Sequence, residues 1–305
     1  MKFMKKFISQ PNFFRLFSYL VVIITLGFLI NNILINFLNI NNKNLNQIIY
    51  GLSVILPFII ILYFNKRTLI QDSNLLTSIS LYIAKAAFWI VLIIGITDFI
   101  ISFLVSEKFI EILFGKEFQL FLSSPRSRIL FIHMPLVILA FYFAYYFRTL
   151  GFIWLSTLVV IAEILIVISR FVYSYEQTFM GDLVRYWYGA LFLFSSAYTL
   201  VQEGHVRVDI LYNKLKQKNK AIANIIGSLF FGIPLCGLIL FYGMQGRQST
   251  INAPLTNFEV TQQGIAGLYV KYMMAGFLAI FAITMIIQFS AYILSNANNI
   301  YKSKK

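Results

Sequence analysis

The chain has 305 residues, of which 59% are hydrophobic and only 12% charged, with a formal net charge of +14. A soluble domain runs near a quarter charged and about half apolar, so this balance excludes a water-solvated globule and makes a bilayer the natural solvent. The single cysteine, Cys236, excludes a disulfide framework and a thiolate metal cluster.

The apolar residues fall in long blocks. A helix rises about 1.5 Å per residue, so about 20 apolar residues cross roughly 30 Å of hydrocarbon. Continuous apolarity without period-two alternation excludes a barrel and leaves helices to pair the backbone in lipid. The sequence predicts an all-α fold, a polytopic transmembrane helical bundle of about eight spans, near residues 13–38, 48–64, 84–105, 129–147, 152–170, 184–201, 222–243 and 271–294.

Lys2, Lys5 and Lys6 precede the first block in the manner of a signal sequence. That block is longer than a typical signal core and ends in Asn-rich sequence without a small-residue cleavage site, which predicts an uncleaved span. After span three, residues 106–122 carry Phe109, Ile110, Leu113, Phe114, Phe118 and Phe121 among charged neighbours, as an amphipathic helix at the outer membrane surface would. Only Arg148 to Gly151 separate spans four and five, predicting a tight antiparallel hairpin. A second interfacial segment is predicted from Val206 to Leu215. Pro57, Pro135 and Pro234 sit in apolar sequence but define no symmetric pair of interrupted helices.

With the N-terminus in the cytoplasm, fifteen basic residues fall on that side and nine on the other. The positive-inside rule therefore predicts an even number of spans with both termini cytoplasmic. Attraction to anionic membrane lipid accounts for the basic balance, and no nucleic-acid recognition module is present.

No phosphate-cradling loop, nucleophile elbow or zinc-binding His-Glu helix occurs, so no catalytic residue, cofactor or metal is expected and the chain reads as something other than an enzyme. His205 and Asp209 are four apart, but two ligands do not make a metal site. Glu163 in span five and Asp98 in the outer half of span three stand out, because an ionisable group inside a bilayer is costly. One reading makes them the proton or ion path of a self-sufficient carrier or channel. The other, which the lack of further intramembrane acids favours, turns each toward the bundle interior against a polar neighbour. Lys85 is expected to snorkel to the cytoplasmic surface.

One stretch carries more information. Arg170-Phe171-Val172-Tyr173 is followed by Asp182, Leu183 and Tyr186, then by Gly189, Ala190, Ala197 and Tyr198, and finally by Gly204-His205-Val206-Arg207-Val208-Asp209. In order and spacing this resembles the small integral membrane (permease) subunit of tripartite ATP-independent periplasmic (TRAP) transporters, the DctQ-like subunit, with Asp182 where Glu is commoner. Gly267, Leu268 and Lys271 are similar to a longer-loop branch of that family. The resemblance covers about 151–296, which divides the chain into an N-terminal extension (1–150) with about four spans, a four-helix core (151–296) and a basic cytoplasmic tail (297–305).

The resemblance implies a non-catalytic subunit of the bacterial inner membrane. It would scaffold a large elevator-type permease that works with a periplasmic substrate-binding protein in sodium-coupled uptake of organic anions such as carboxylates. It further implies positioning and assembly roles for Arg170, Asp182, Arg185, Gly204, His205, Arg207 and Asp209. Asp182 and Arg185 would border the periplasmic end, and His205 to Asp209 would pin the cytoplasmic end of the second core helix.

Overall fold

The computed structural model describes residues 10–147, 152–202, 212–260 and 267–302. Among them the regular structure is helical throughout, with no strand. The chain runs through α1 (Gln10–Asn32, continued by a π-turn Ile33–Phe37), α2 (Lys43–Tyr63), α3 (Leu69–Ser106) and the short α4 (Phe109–Phe114) and α5 (Lys116–Ser123). It continues through α6 (Pro125–Tyr146), α7 (Phe152–Tyr173), α8 (Thr178–Val201), α9 (Gln217–Met244), the short α10 (Asn252–Asn257) and α11 (Lys271–Lys302).

Seven of these, α1, α2, α3, α6, α7, α9 and α11, are long and apolar enough to cross a bilayer. Helix α8 is long enough at 24 residues, but Asp182, Arg185 and its tyrosines, serines and threonines keep its hydropathy lower. The fold is the polytopic helical bundle that the sequence predicts. The hairpin at Arg148 to Gly151 and most of the Val206–Leu215 segment lie outside the described residues.

Several helix ends extend beyond the sequence reading, α3 by the most, and one expected helix is divided. Helix α3 begins at Leu69, well before residue 84, although Asn65 to Asn74 reads as a polar linker. Two of its polar residues there are buried and partnered: the Asp72 carboxylate meets the Arg15 guanidinium at 2.6 Å, and Ser73 donates to the Ala291 carbonyl at 2.7 Å. Residues 106–122 form two helices instead of one, because Gly115 adopts φ +85°, a conformation nearly closed to residues with a Cβ.

The prolines are also accommodated locally. Pro135 and Pro234 each follow a π-turn, Ile129–His133 and Ser228–Gly232. Proline cannot donate to the preceding turn and its ring crowds the carbonyl four residues back; a widened turn relieves both.

The chain divides into two compact units, and α3, α8 and α11 contribute to both. In the first unit (Met1–Leu81, Ala197–Ser249, Ala282–Lys305), hydroxyls tie helices to the α11 backbone. Ser18 donates to the Ser290 carbonyl at 3.1 Å and Ser80 to that of Thr284 at 2.9 Å. Such bonds matter in a bilayer, where lipid offers no hydrophobic drive between helices. Arg15, buried beside Asp72, also donates to the Phe64 carbonyl at 3.0 Å.

The second unit (Tyr82–Ser196, Thr250–Phe281) is built on an aromatic core. Phe88, Val91 and Ile94 of α3 and Leu155 of α7 pack with Phe179, Tyr186, Trp187 and Phe194 of α8 and Phe277 of α11. The Phe194 and Phe277 rings meet edge to face at 4.9 Å, and Tyr186 stacks on Phe277 at 5.4 Å. Gly95 lets α3 approach α8 so closely that a Cβ there would run into the Trp187 indole.

Candidate functional site

The densest polar cluster among the described residues is centred on Asp98, within the second unit. Asp98 is fully buried, and both carboxylate oxygens are engaged. Oδ1 accepts from Arg128 Nη1 at 3.0 Å and meets His133 Nε2 at 3.1 Å; Oδ2 accepts from the Tyr269 backbone N–H at 2.7 Å. Arg128 Nη1 also reaches Ser102 Oγ at 2.9 Å, Nε donates to the Leu122 carbonyl at 2.8 Å, and the guanidinium lies 3.9 Å above the Tyr269 ring. His133 Nδ1 pairs with the Tyr272 hydroxyl at 2.9 Å.

An ionised Asp98 only accepts, so His133 Nε2 carries the proton that faces Oδ1. The Arg128 guanidinium is the counter-ion of this carboxylate. Burying two ions is expensive unless they also hydrogen-bond to other groups, and here His133, the Tyr269 N–H, Ser102 and the Leu122 carbonyl supply such bonds.

The node depends on a local irregularity. Five residues separate Arg128 from His133, and on an α-helix such a pair points about 140° apart. The π-turn Ile129–His133 closes its hydrogen bonds five residues apart and so brings both side chains to one carboxylate.

The same cluster anchors the backbone that enters α11. Ser102 donates to the Gly267 carbonyl at 3.4 Å, Asp182 accepts from the Leu268 N–H at 3.3 Å, and Asp98 holds the next N–H, of Tyr269. Two carboxylates thus face the backbone just ahead of a helix start, where unpaired N–H groups favour negative charge. The Tyr269 hydroxyl donates to the Ser123 carbonyl at 2.7 Å, and burial raises its pKa above the usual tyrosine value. Nearby, the Tyr175 hydroxyl donates to Glu107 at 2.5 Å; burial and that bond push its pKa up to about 12.

The residues singled out in the sequence fare differently. Asp98 faces the interior against polar neighbours, as the favoured reading expects. Glu163 does not: it is exposed, in the middle of α7. Asp182 is buried and holds Leu268, with Arg185 at 3.8 Å and exposed. Arg170 is exposed and pairs with Glu176 at 3.3 Å. The structure does not bring Arg170 together with Asp182 in any ion pair among the described residues, and Gly204, His205, Arg207 and Asp209 lie outside those residues. Lys85 donates to the Phe147 carbonyl at 2.9 Å. Nothing in the spacing of Arg128, His133, Tyr269 and Tyr272 marks one face, so the sequence does not point to them as a group.

Helices that cross a membrane and ionisable groups that hold helices to one another define a polytopic helical membrane protein. Within it, residues 156–295 match the family model described as tripartite ATP-independent periplasmic transporters, DctQ component. That match establishes the small-permease resemblance for the C-terminal half of the chain, and the family is one of transporter components. No curated protein and no solved structure matches.

Proposed function

We propose that the chain is the small membrane subunit of a TRAP transporter in the bacterial inner membrane, with both termini cytoplasmic. It scaffolds a large elevator-type permease during sodium-coupled uptake of organic anions such as carboxylates, delivered by a periplasmic binding protein. The family match over residues 156–295 carries this reading. The engagement of both Asp98 oxygens supports it, since a carboxylate already held by Arg128, His133 and Tyr269 has less capacity for a passing ion. Arg170, Asp182 and Arg185, with Gly204, His205, Arg207 and Asp209, act in positioning and assembly.

The competing reading, a self-sufficient carrier or channel using Glu163 and Asp98, makes a different prediction in liposomes. The purified chain alone is expected to move no labelled organic anion above protein-free vesicles. Uptake is expected only with the large permease, the binding protein and an inward sodium gradient. Transport by the chain alone would establish the carrier instead.

A further inference from the structure

Glu163 poses a problem that the helices around it do not solve. It lies ten residues from the end of α7 at Tyr173 and eleven from the start at Phe152, so about 15 Å of helix separates it from either terminus. Its side chain is exposed, and it makes no hydrogen bond or ion pair among the described residues. Facing hydrocarbon at that depth, an acidic side chain disfavours insertion by about a hundredfold.

The surrounding surface makes the problem sharper. One face of α7 is committed to the aromatic core through Leu155, Leu158, Val159 and Ala162. Around the helix from it, Val160 (58% exposed), Glu163 and Val167 (51% exposed) form a strip at three- and four-residue spacing, which Arg170 continues toward the helix end. Only 11% of the α7 span is buried within the chain, the lowest share of the seven candidate spans, against 67% for α11.

We propose that this strip is the seam on which one transmembrane helix of the large permease seats, and that the helix presents a basic side chain at the depth of Glu163. Val160 and Val167 on either side of the carboxylate are short, stiff side chains against which a helix can pack, and such packing is what drives association where lipid is as apolar as the side chains. A cation opposite Glu163 neutralises a charge that hydrocarbon would reject, and it selects the partner and its register. The inference rests on the small-subunit reading and names the surface through which that role is exercised.

The test is coexpression of the full chain with its large permease, followed by purification in mild detergent. Photo-activatable benzoylphenylalanine placed singly at Val160 and Val167 is expected to crosslink to one permease helix, beside a Lys, Arg or His. Glu163→Leu is expected to lower recovered complex at least about tenfold, because it strands a buried cation, and Glu163→Gln to lower it less. Glu163→Lys combined with an acidic residue at the partner position is expected to restore recovery. Wild-type recovery by Glu163→Leu, with crosslinks only to lipid or to a second copy of this chain, would overturn the seam and leave the function standing. If the wild-type chain recovers no permease at all, the small-subunit function fails, and the seam with it.

Discussion

An Asp98→Asn substitution preserves the shape of the carboxylate and removes its charge, which leaves the buried Arg128 guanidinium without its counter-ion. Breaking a buried pair from one side costs about 3–5 kcal/mol, whereas removing both partners costs much less than the sum. Asp98→Asn and Arg128→Met are each expected to lower the thermal unfolding midpoint in detergent, and the double variant to fall well short of additivity. Additive losses in tryptophan-fluorescence melts would show that the two residues do not act together. Asp98 was legible as an anomaly because a charge in apolar sequence is conspicuous. Its partners were not, since Arg128 reads as a loop cation and His133 as an isolated histidine.

At the scale of the element, the contact between α3 and α8 shows how a small residue positions a large one. Trp187 is 4% exposed and its indole N–H points at the Val91 carbonyl at 3.4 Å, so it has little room to retreat from a Cβ at Gly95. Gly95→Ala is expected to destabilise the protein by about 1–3 kcal/mol, the usual range for overpacking. Combining it with Trp187→Phe should recover part of the loss in the same thermal melts; no recovery would place the strain elsewhere. The span centres were readable from hydropathy, but the ends were not. Leu69 to Asn74 looks like linker because its polarity is visible in the sequence while its partners on other segments, Arg15 and the Ala291 carbonyl, are not. The π-turns before Pro135 and Pro234 were similarly hidden: proline signals a disturbance without specifying how the helix absorbs it.

For the whole molecule, the basic residues favour cytoplasmic termini with the α4–α5 segment on the opposite side of the membrane. Alkaline phosphatase fused after Lys305 is therefore expected to be inactive and a fluorescent protein there to be bright, with the reverse for insertions at Gly115. Active phosphatase at the C-terminus would invert the arrangement. The N-terminal extension is physically continuous with the family-matched half at the Asp98 node: α3 and α6 supply Asp98, Arg128 and His133, and Tyr269 and Tyr272 come from the far side of the chain. That junction ties α3 and α6 to the backbone that enters α11.

Apolar spans, helical class and the family match of residues 156–295 were determined by the sequence itself, because each is a sum or an ordered pattern over many nearby residues. Which way the ionisable groups point was decided only by the tertiary structure. Asp98 and Glu163 look alike in the sequence, each an acid in an apolar span. One is enclosed by donors from segments 30 to 171 residues away, and the other faces outward. Helix rotation and packing create that difference, and neither is written in local hydropathy.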